Sequence, residues 1–246
     1  MIREALVLAA GRGGRLVPDG VGRPKPLVEV AGVPILSHVL ARVEAAGLEE
    51  AFVVLGHRAP EIERYYEQAP FRHLRVHWLR GADPDRSNGM SVLHARTFLP
   101  RPFLLLMGDH LVDVAVLRRL AGVALEPEGA VLCIDRHLGR IYDVEEATKV
   151  KLEGERITAV GKNLTDYDAV DTGVFACSPA LFAALEASVR NGDCSLSDGI
   201  QVLAQRRVMR ALEMGETEWA DIDTPEALRH AETLIEAGKL PLPIKV

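Results

Sequence analysis

The chain has 246 residues, 48% of them hydrophobic and 26% charged, with a formal net charge of −6. This is the composition of a folded globular domain, and it excludes disorder and collagen-like repeats. An acidic balance without long basic runs also excludes a broad nucleic-acid-binding surface, and three scattered cysteines (Cys133, Cys177, Cys194) support neither a disulfide framework nor a zinc site.

In chain order, Met1-Ile2-Arg3-Glu4 leads into a short apolar run with no cleavage site or long hydrophobic stretch. Neither a signal peptide nor a membrane span is therefore expected, and the cysteine usage suits the cytoplasm. Apolar runs of strand length then alternate with segments of helical period, the pattern of βα units whose parallel strands are covered on both faces. Strands are predicted over Ala5–Ala9, Ala51–Leu55, Arg75–Leu79 and Phe103–Met107, and helices over Pro34–Ala46, Pro60–Gln68 and Gly89–Leu99. Pro34 suits a first helical turn and Gly47 a helix end.

The second half reads differently. Ala130–Ile134, Ala147–Leu152, Arg156–Gly161 and Val170–Ala176 are strand-like and joined by short polar turns, which suggests an antiparallel insertion. Helices return at Pro179–Arg190 and Ser197–Arg206, a strand at Val208–Met214, and a closing helix opens at Asp223-Thr224-Pro225-Glu226. The expected fold is α/β: a single Rossmann-like domain over 1–246, with a mixed, mostly parallel central sheet flanked by helices and a β-rich substrate-binding arm. Residues 1–135 are expected to bind mainly nucleotide, and 136–246 to supply mainly the acceptor site and the closing helix.

The first strand runs into Leu8-Ala9-Ala10-Gly11-Arg12-Gly13-Gly14-Arg15-Leu16, and Lys25 follows within Arg23-Pro24-Lys25-Pro26-Leu27. Glycines directly after a buried strand let main-chain N–H groups approach an anion, and Arg15 and Lys25 add positive charge. Such a loop can cradle a nucleoside triphosphate, although taken alone it also reads as a glycine-rich turn with two solvated cations. Leu16 stands where a dinucleotide fingerprint wants a third glycine, and no GKS or GKT follows as a P-loop requires. Met107-Gly108-Asp109-His110 ends the Phe103–Met107 strand, so the Asp109 carboxylate is placed at the C-terminal edge of the sheet, where it can hold Mg²⁺. No nucleophilic triad is present, and His110 reads as a structural neighbour.

Leu-Ala-Ala-Gly-x-Gly-x-Arg-Leu followed by Arg-Pro-Lys-Pro-Leu-Val-Glu-Val-Ala-Gly, over residues 6–32, resembles the opening motif of the sugar-phosphate nucleotidyltransferases. Gly14 departs from the Ser or Thr of many relatives. The wording Gly-Lys-x-Leu-x-x-Tyr-x-Ala-x-Asp-Thr-Gly-Val-Phe, with Met-Gly-Asp-His, Asn88-Gly89-Met90-Ser91 and Cys194-Ser195-Leu196-Ser197-Asp198-Gly199, is similar to the inositol-1-phosphate cytidylyltransferases.

That resemblance implies transfer of the cytidylyl group of CTP to inositol 1-phosphate with Mg²⁺, giving CDP-inositol and pyrophosphate. It implies nucleotide contacts from Ala9, Ala10, Gly11, Gly13, Gly14, Arg15, Lys25, Asn88, Gly89, Ser91 and Asp109. Acceptor contacts are implied for Lys162, Asp171, Thr172 and Gly173, and catalytic roles for Arg15, Lys25, Asp109 and Lys162. The Trp-x-Asp-x-x-Thr-Pro-Glu resemblance at Trp219–Glu226 gives Asp221 as a metal ligand beside Asp109, with Asp223 as a further ligand or a helix cap. Asp198 reads as an ordinary cap. Members of this family are often fused to a membrane-embedded transferase that uses the CDP-inositol, whereas this sequence stops at Val246, so that partner is expected to be a separate membrane enzyme. The competing readings are a cytidylyltransferase for phosphocholine or another phosphoalcohol, a hexose-1-phosphate guanylyl- or thymidylyltransferase, and a catalytically silent nucleotide-sensing subunit.

Overall fold

The computed structural model describes residues 1–17, 22–67 and 71–241. The strands and helices run in chain order as β1 (Glu4–Ala9), β2 (Glu29–Val30), β3 (Val33–Pro34), α1 (Ile35–Ala45), β4 (Glu50–Leu55), α2 (Ala59–Tyr66), β5 (Arg75–Leu79), α3 (Asn88–His94), β6 (Phe103–Met107), β7 (His110–Val112), α4 (Val114–Ala121), β8 (Ala130–Asp135), β9 (Lys149–Glu153), β10 (Arg156–Gly161), β11 (Ala169–Cys177), α5 (Ala180–Ser188), α6 (Leu196–Gln205), β12 (Met209–Glu213), β13 (Trp219–Asp221) and α7 (Pro225–Glu236). Nine strands form one sheet in the order β5-β4-β1-β6-β11-β8-β12-β10-β9.

Both faces of this sheet are covered. Along β1, Ala5, Val7 and Ala9 enter one apolar core while Leu6 enters the other and Leu8 packs against it, as the two-residue period of a strand requires. The helices α1, α4 and α7 contribute to the first core, and α5 and α6 to the second. Phe103 lies in the second core, fully buried and stacked on Phe182 at 5.4 Å. Phe103→Ala is expected to lower unfolding stability by about 3–5 kcal/mol, because the close-packed site cannot collapse around the lost ring. Urea unfolding checks this, and a loss below about 1 kcal/mol would contradict the packing described.

The expected parallel half is present: β1 pairs in parallel with β4 and β6, and β4 with β5. Strand order turns back at β1, which has β4 on one side and β6 on the other. This switch point is where an open α/β sheet leaves a crevice beyond its strand ends.

The second half corrects the expected insertion. β8 and β11 are interior strands of the main sheet, with β11 antiparallel to both β6 and β8, and β12 runs parallel to β8. Only β9 and β10 form the hairpin at the outer edge, turning at Gly154. The helix expected over Gly89–Leu99 ends at His94 and gives way to a 3-10 turn at Arg96–Phe98. That expected over Pro60–Gln68 spans Ala59–Tyr66, and Gln68 lies outside the described residues, as do residues 18–21 of the opening motif. The short helix α4, capped by Asp113 accepting from the Ala115 N–H at 2.7 Å, was not anticipated. Nor was the small β7·β13 pair. No helix among the described residues is long and apolar enough to cross a membrane.

Candidate active site

The site lies at the switch point, because Leu8 of β1 sits beside Met107 of β6 and both strands release their loops at the same edge. The Gly108 N–H donates to the Leu8 carbonyl at 2.8 Å, which carries Asp109 against the glycine loop. Gly13 has φ +67, and a Cβ there would lie 2.5 Å from the Lys25 Cβ, so the loop passes over the lysine stem only without a side chain. Ala9, Gly11, Gly13, Gly14, Arg15, Lys25, Asp109 and Asp223 line a cavity of about 250 Å³.

Lys25 is 8% exposed, and its ammonium donates to Asp109 Oδ2 at 2.6 Å and to Asp223 Oδ1. Burial opposes its charge, yet Asp109 and Asp223 together raise its pKa above the usual lysine value. Asp223 also accepts from Arg15. Both cations predicted to meet a triphosphate are therefore already gathered on carboxylates. The cap of α7 is Thr224, whose hydroxyl accepts from the Ala227 N–H at 3.1 Å, so Asp223 is free of capping and serves Lys25 and Arg15.

On the far side of Asp109 the chain folds back through β7 and β13, which place Asp221 opposite His110. The Ile222 N–H donates to the Asp109 carbonyl at 3.1 Å and locks this return. One donor atom each from Asp109, His110 and Asp221 lies within 4.8 Å of the others. Two carboxylates so placed, with open room for phosphate oxygens, fit the preference of a hard divalent cation. His110 Nε2 stands 3.4 Å from Asp221 Oδ1 and 3.8 Å from Asp109 Oδ1. Burial would lower the His110 pKa, but Asp221 and then Asp109 push it up to about 10. Burial would raise the Asp221 carboxyl, yet His110 holds it below the usual aspartate value.

A second cavity, of about 220 Å³, adjoins the first and shares Arg15 and Asp223 with it. Its wall includes Lys162, Asp171, Gly173, Asp221 and Trp219, together with Arg140, Tyr142 and Asp143 of the segment before β9. The Lys162 ammonium is half-exposed, 3.5 Å from Glu146. Asp171 accepts from the Gly173 N–H at 2.6 Å, and burial pushes its carboxyl up to about 6 against that hydrogen bond. Asp135, 2% exposed, accepts from the Trp219 indole N–H at 3.1 Å and fixes that ring in the wall. Tyr142 stacks on His230 of α7 at 4.8 Å.

Several predicted residues lie elsewhere. Thr172 is fully buried and its hydroxyl donates to the Cys133 carbonyl at 2.9 Å, so its side chain faces the core rather than the second cavity. Asn88 borders the second cavity, where its Oδ1 accepts from the Leu196 N–H at 2.8 Å. Gly89 packs against Cys194 and Ser195, and Ser91 and Ala10 are buried. Asp198 forms a capping box with Ser195, as the sequence predicts. His110, Asp135, Arg140, Tyr142 and His230 were not singled out as site residues. The His110 position was legible in principle, since it directly follows the strand-end aspartate.

Residues 5–216 match the family described as MobA-like NTP transferase domain. A bifunctional IPC transferase and DIPP synthase of Rubrobacter xylanophilus is 41% identical over 237 residues, covering 94% of this chain and 51% of that protein. A CMP-5'-(3-aminopropyl)phosphonate synthase of Streptomyces rubellomurinus is 31% identical, covering 93% of this chain and 38% of that one. The chain spans about half the length, or less, of these curated relatives. The solved inositol-1-phosphate CTP transferase of T. maritima has the same fold, with a TM-score of 0.83, 22% identity and coverage of 96% of this chain and 97% of that one.

Proposed function

The chain belongs to the MobA-like NTP transferase domain family, and from this we propose that it transfers the cytidylyl group of CTP to inositol 1-phosphate, releasing pyrophosphate and forming CDP-inositol. The observation that carries the reading is the junction of two cavities: a glycine-and-lysine cradle and a polar-walled acceptor space that share Arg15 and Asp223. The choice of CTP and inositol phosphate is supported by the similarity to the bifunctional IPC transferase. On this reading residues 1–135 bind mainly the nucleotide and 136–246 mainly the acceptor.

The triphosphate lies over the main-chain N–H groups of Gly11, Gly13 and Gly14, and its oxygens replace Asp223 as the acceptors for Lys25 and Arg15. Lys162 exchanges Glu146 for the acceptor phosphate. That phosphate is largely ionised at neutral pH and attacks the α-phosphorus directly, so the chain needs no nucleophile and no strong general base. Asp109 and Asp221, with Asp223 once it leaves Lys25, are the carboxylates that would hold Mg²⁺. Bound there, the ion supplies charge neutralisation between the two phosphates. The reaction belongs in the cytoplasm beside the CTP pool, and its product suits a membrane transferase that passes on the inositol phosphate.

Asp171 accepts a hydroxyl of the inositol ring. Asp171→Ala is expected to raise the KM for inositol 1-phosphate by about 10–100-fold with the KM for CTP unchanged, the worth of one hydrogen bond to a buried charge. An unchanged acceptor KM would remove this role.

A second acceptor class is favoured by one feature. Trp219, Tyr142 and Phe175 stand in the cavity wall among carboxylates, a lining that can also receive an ammonium group. The assay that separates the readings measures pyrophosphate release with each of the four ribonucleotides against inositol 1-phosphate, phosphocholine, 3-aminopropylphosphonate and hexose 1-phosphates. The reading expects turnover with CTP and inositol 1-phosphate above every other pair. Preference for an amine acceptor would establish the second class, and no turnover with any pair would leave a nucleotide-sensing subunit.

A further inference from the structure

The reaction just described gives His110 no task, yet this imidazole is the point at which the acceptor wall touches the metal carboxylates. Its Nδ1–H donates to the Thr172 carbonyl at 2.8 Å, which fixes the ring and leaves Nε2 directed toward the carboxylates. Gly173 closes on the same ring: with φ +77, a Cβ at that position would lie 2.2 Å from His110 Nδ1. Nε2 faces Asp221 at 3.4 Å and Asp109 at 3.8 Å. Trp219, two residues before Asp221 on β13, covers the ring at a centroid distance of 5.8 Å. Only 14% of the His110 side chain is exposed, so its orientation is set by these neighbours rather than by solvent.

The strands explain why one residue can join both regions. β7 and β13 pair His110 with Asp221 directly, while β11 presents the Thr172 carbonyl and the bare face of Gly173 to the other edge of the ring. A carboxylate left to itself rotates freely about its terminal torsion and is a poor anchor for a cation.

We propose that His110 is a positioning residue, which takes its orientation from the Thr172 carbonyl and Gly173 and uses Nε2 to hold the Asp221 carboxylate toward Asp109, so that the divalent-cation site is assembled before substrate arrives. This rests on the reading of Asp109 and Asp221 as metal ligands, and it extends that reading to the acceptor strand: a side chain at Gly173 would push the His110 ring and with it the metal site.

The test is direct binding of Mn²⁺ alone, without nucleotide, followed by the loss of the free-ion paramagnetic resonance signal during titration of the wild-type chain, His110→Ala, His110→Asn and Gly173→Ala, each with its melting temperature. Asparagine places an amide nitrogen where Nδ1 stands and can keep the bond to the Thr172 carbonyl, but it has no atom that reaches Asp221. The expected result is saturable binding by the wild type and binding weakened about 10–100-fold in all three variants, with His110→Asn melting close to the wild type. Wild-type affinity in His110→Asn would reduce the residue to a structural tie and overturn the proposal. Equal affinity in all four proteins, or no saturable Mn²⁺ binding by the wild type, would overturn it as well. Because no nucleotide or acceptor is present, failure of the CTP and inositol phosphate reading shows separately, in the pyrophosphate-release assay.

Discussion

Lys25→Met is expected to cut kcat/KM for CTP by about 10³-fold, the order found when a preorganised donor is removed from a site of developing charge. The same substitution carries a second signature. Lys25 is the shared partner of Asp109 and Asp223, so an apolar side chain leaves two carboxylates facing one another. Breaking a buried ion pair costs about 3–5 kcal/mol. Here both carboxylates keep roughly 30% exposure, and solvent screening brings the expected loss to about 2–3 kcal/mol. A chain of this size then melts about 4–12 °C lower in metal-free buffer. Millimolar Mg²⁺ should restore much of the melting temperature by taking the place of the lost ammonium, while the rate stays low. Kinetics with CTP and thermal melts with and without Mg²⁺ check both. An unchanged melting temperature together with near-wild-type kcat/KM would show that Lys25 does not hold the two carboxylates as described.

Asp109→Ala separates catalysis from folding in the opposite way. Its carboxylate stands at the junction, one oxygen on Lys25 and the other toward His110 and Asp221, and it is partly exposed. Lys25 retains Asp223 when it is removed, so the fold should survive with a melting temperature within a few degrees of the wild type. Turnover should fall by about 10³-fold or more, because the ligand common to the proposed metal carboxylates is gone and the two phosphates lose several kcal/mol of charge stabilisation. The residual rate should no longer depend on Mg²⁺ concentration over the range that saturates the wild type. Near-wild-type rates in a folded Asp109→Ala protein would withdraw the metal assignment.

The parts of this site that are legible in the sequence are those placed by local rules. Ala5–Ala9 and Phe103–Met107 are continuous apolar runs followed at once by glycine and by charge, so strand length alone puts the glycine loop and Asp109 at strand ends. The apposition of those ends depends on β1 and β6 being neighbours, which the order of strands in the sheet supplies and no local rule announces. Strand periodicity carries a further signal. Asp171 and Gly173 share one side of β11 and Thr172 takes the other, so the alternation that buries Thr172 is written in the segment.

What stayed hidden is non-local. Lys25 and Asp223 are 198 positions apart, and nothing near either residue announces the pairing. β7 and β13 are three residues each, too short for a period to show, yet their pairing brings His110 to Asp221. The antiparallel β11 between β6 and β8 likewise reads in sequence as part of an insertion, because an apolar strand has the same pattern whether it lies in an arm or in the centre of the sheet.

The central claim is that the acceptor phosphate and the nucleotide α-phosphorus meet directly between the two cavities, with no bond to the protein on the way. The stereochemical course at phosphorus tests it: a single isomer of α-thio-CTP is turned over with inositol 1-phosphate, and the configuration of the thio-substituted CDP-inositol is assigned by ³¹P NMR. One in-line displacement inverts the α-phosphorus, and inversion is the predicted result. Retention would require two displacements through a nucleotidylated side chain and would contradict the account.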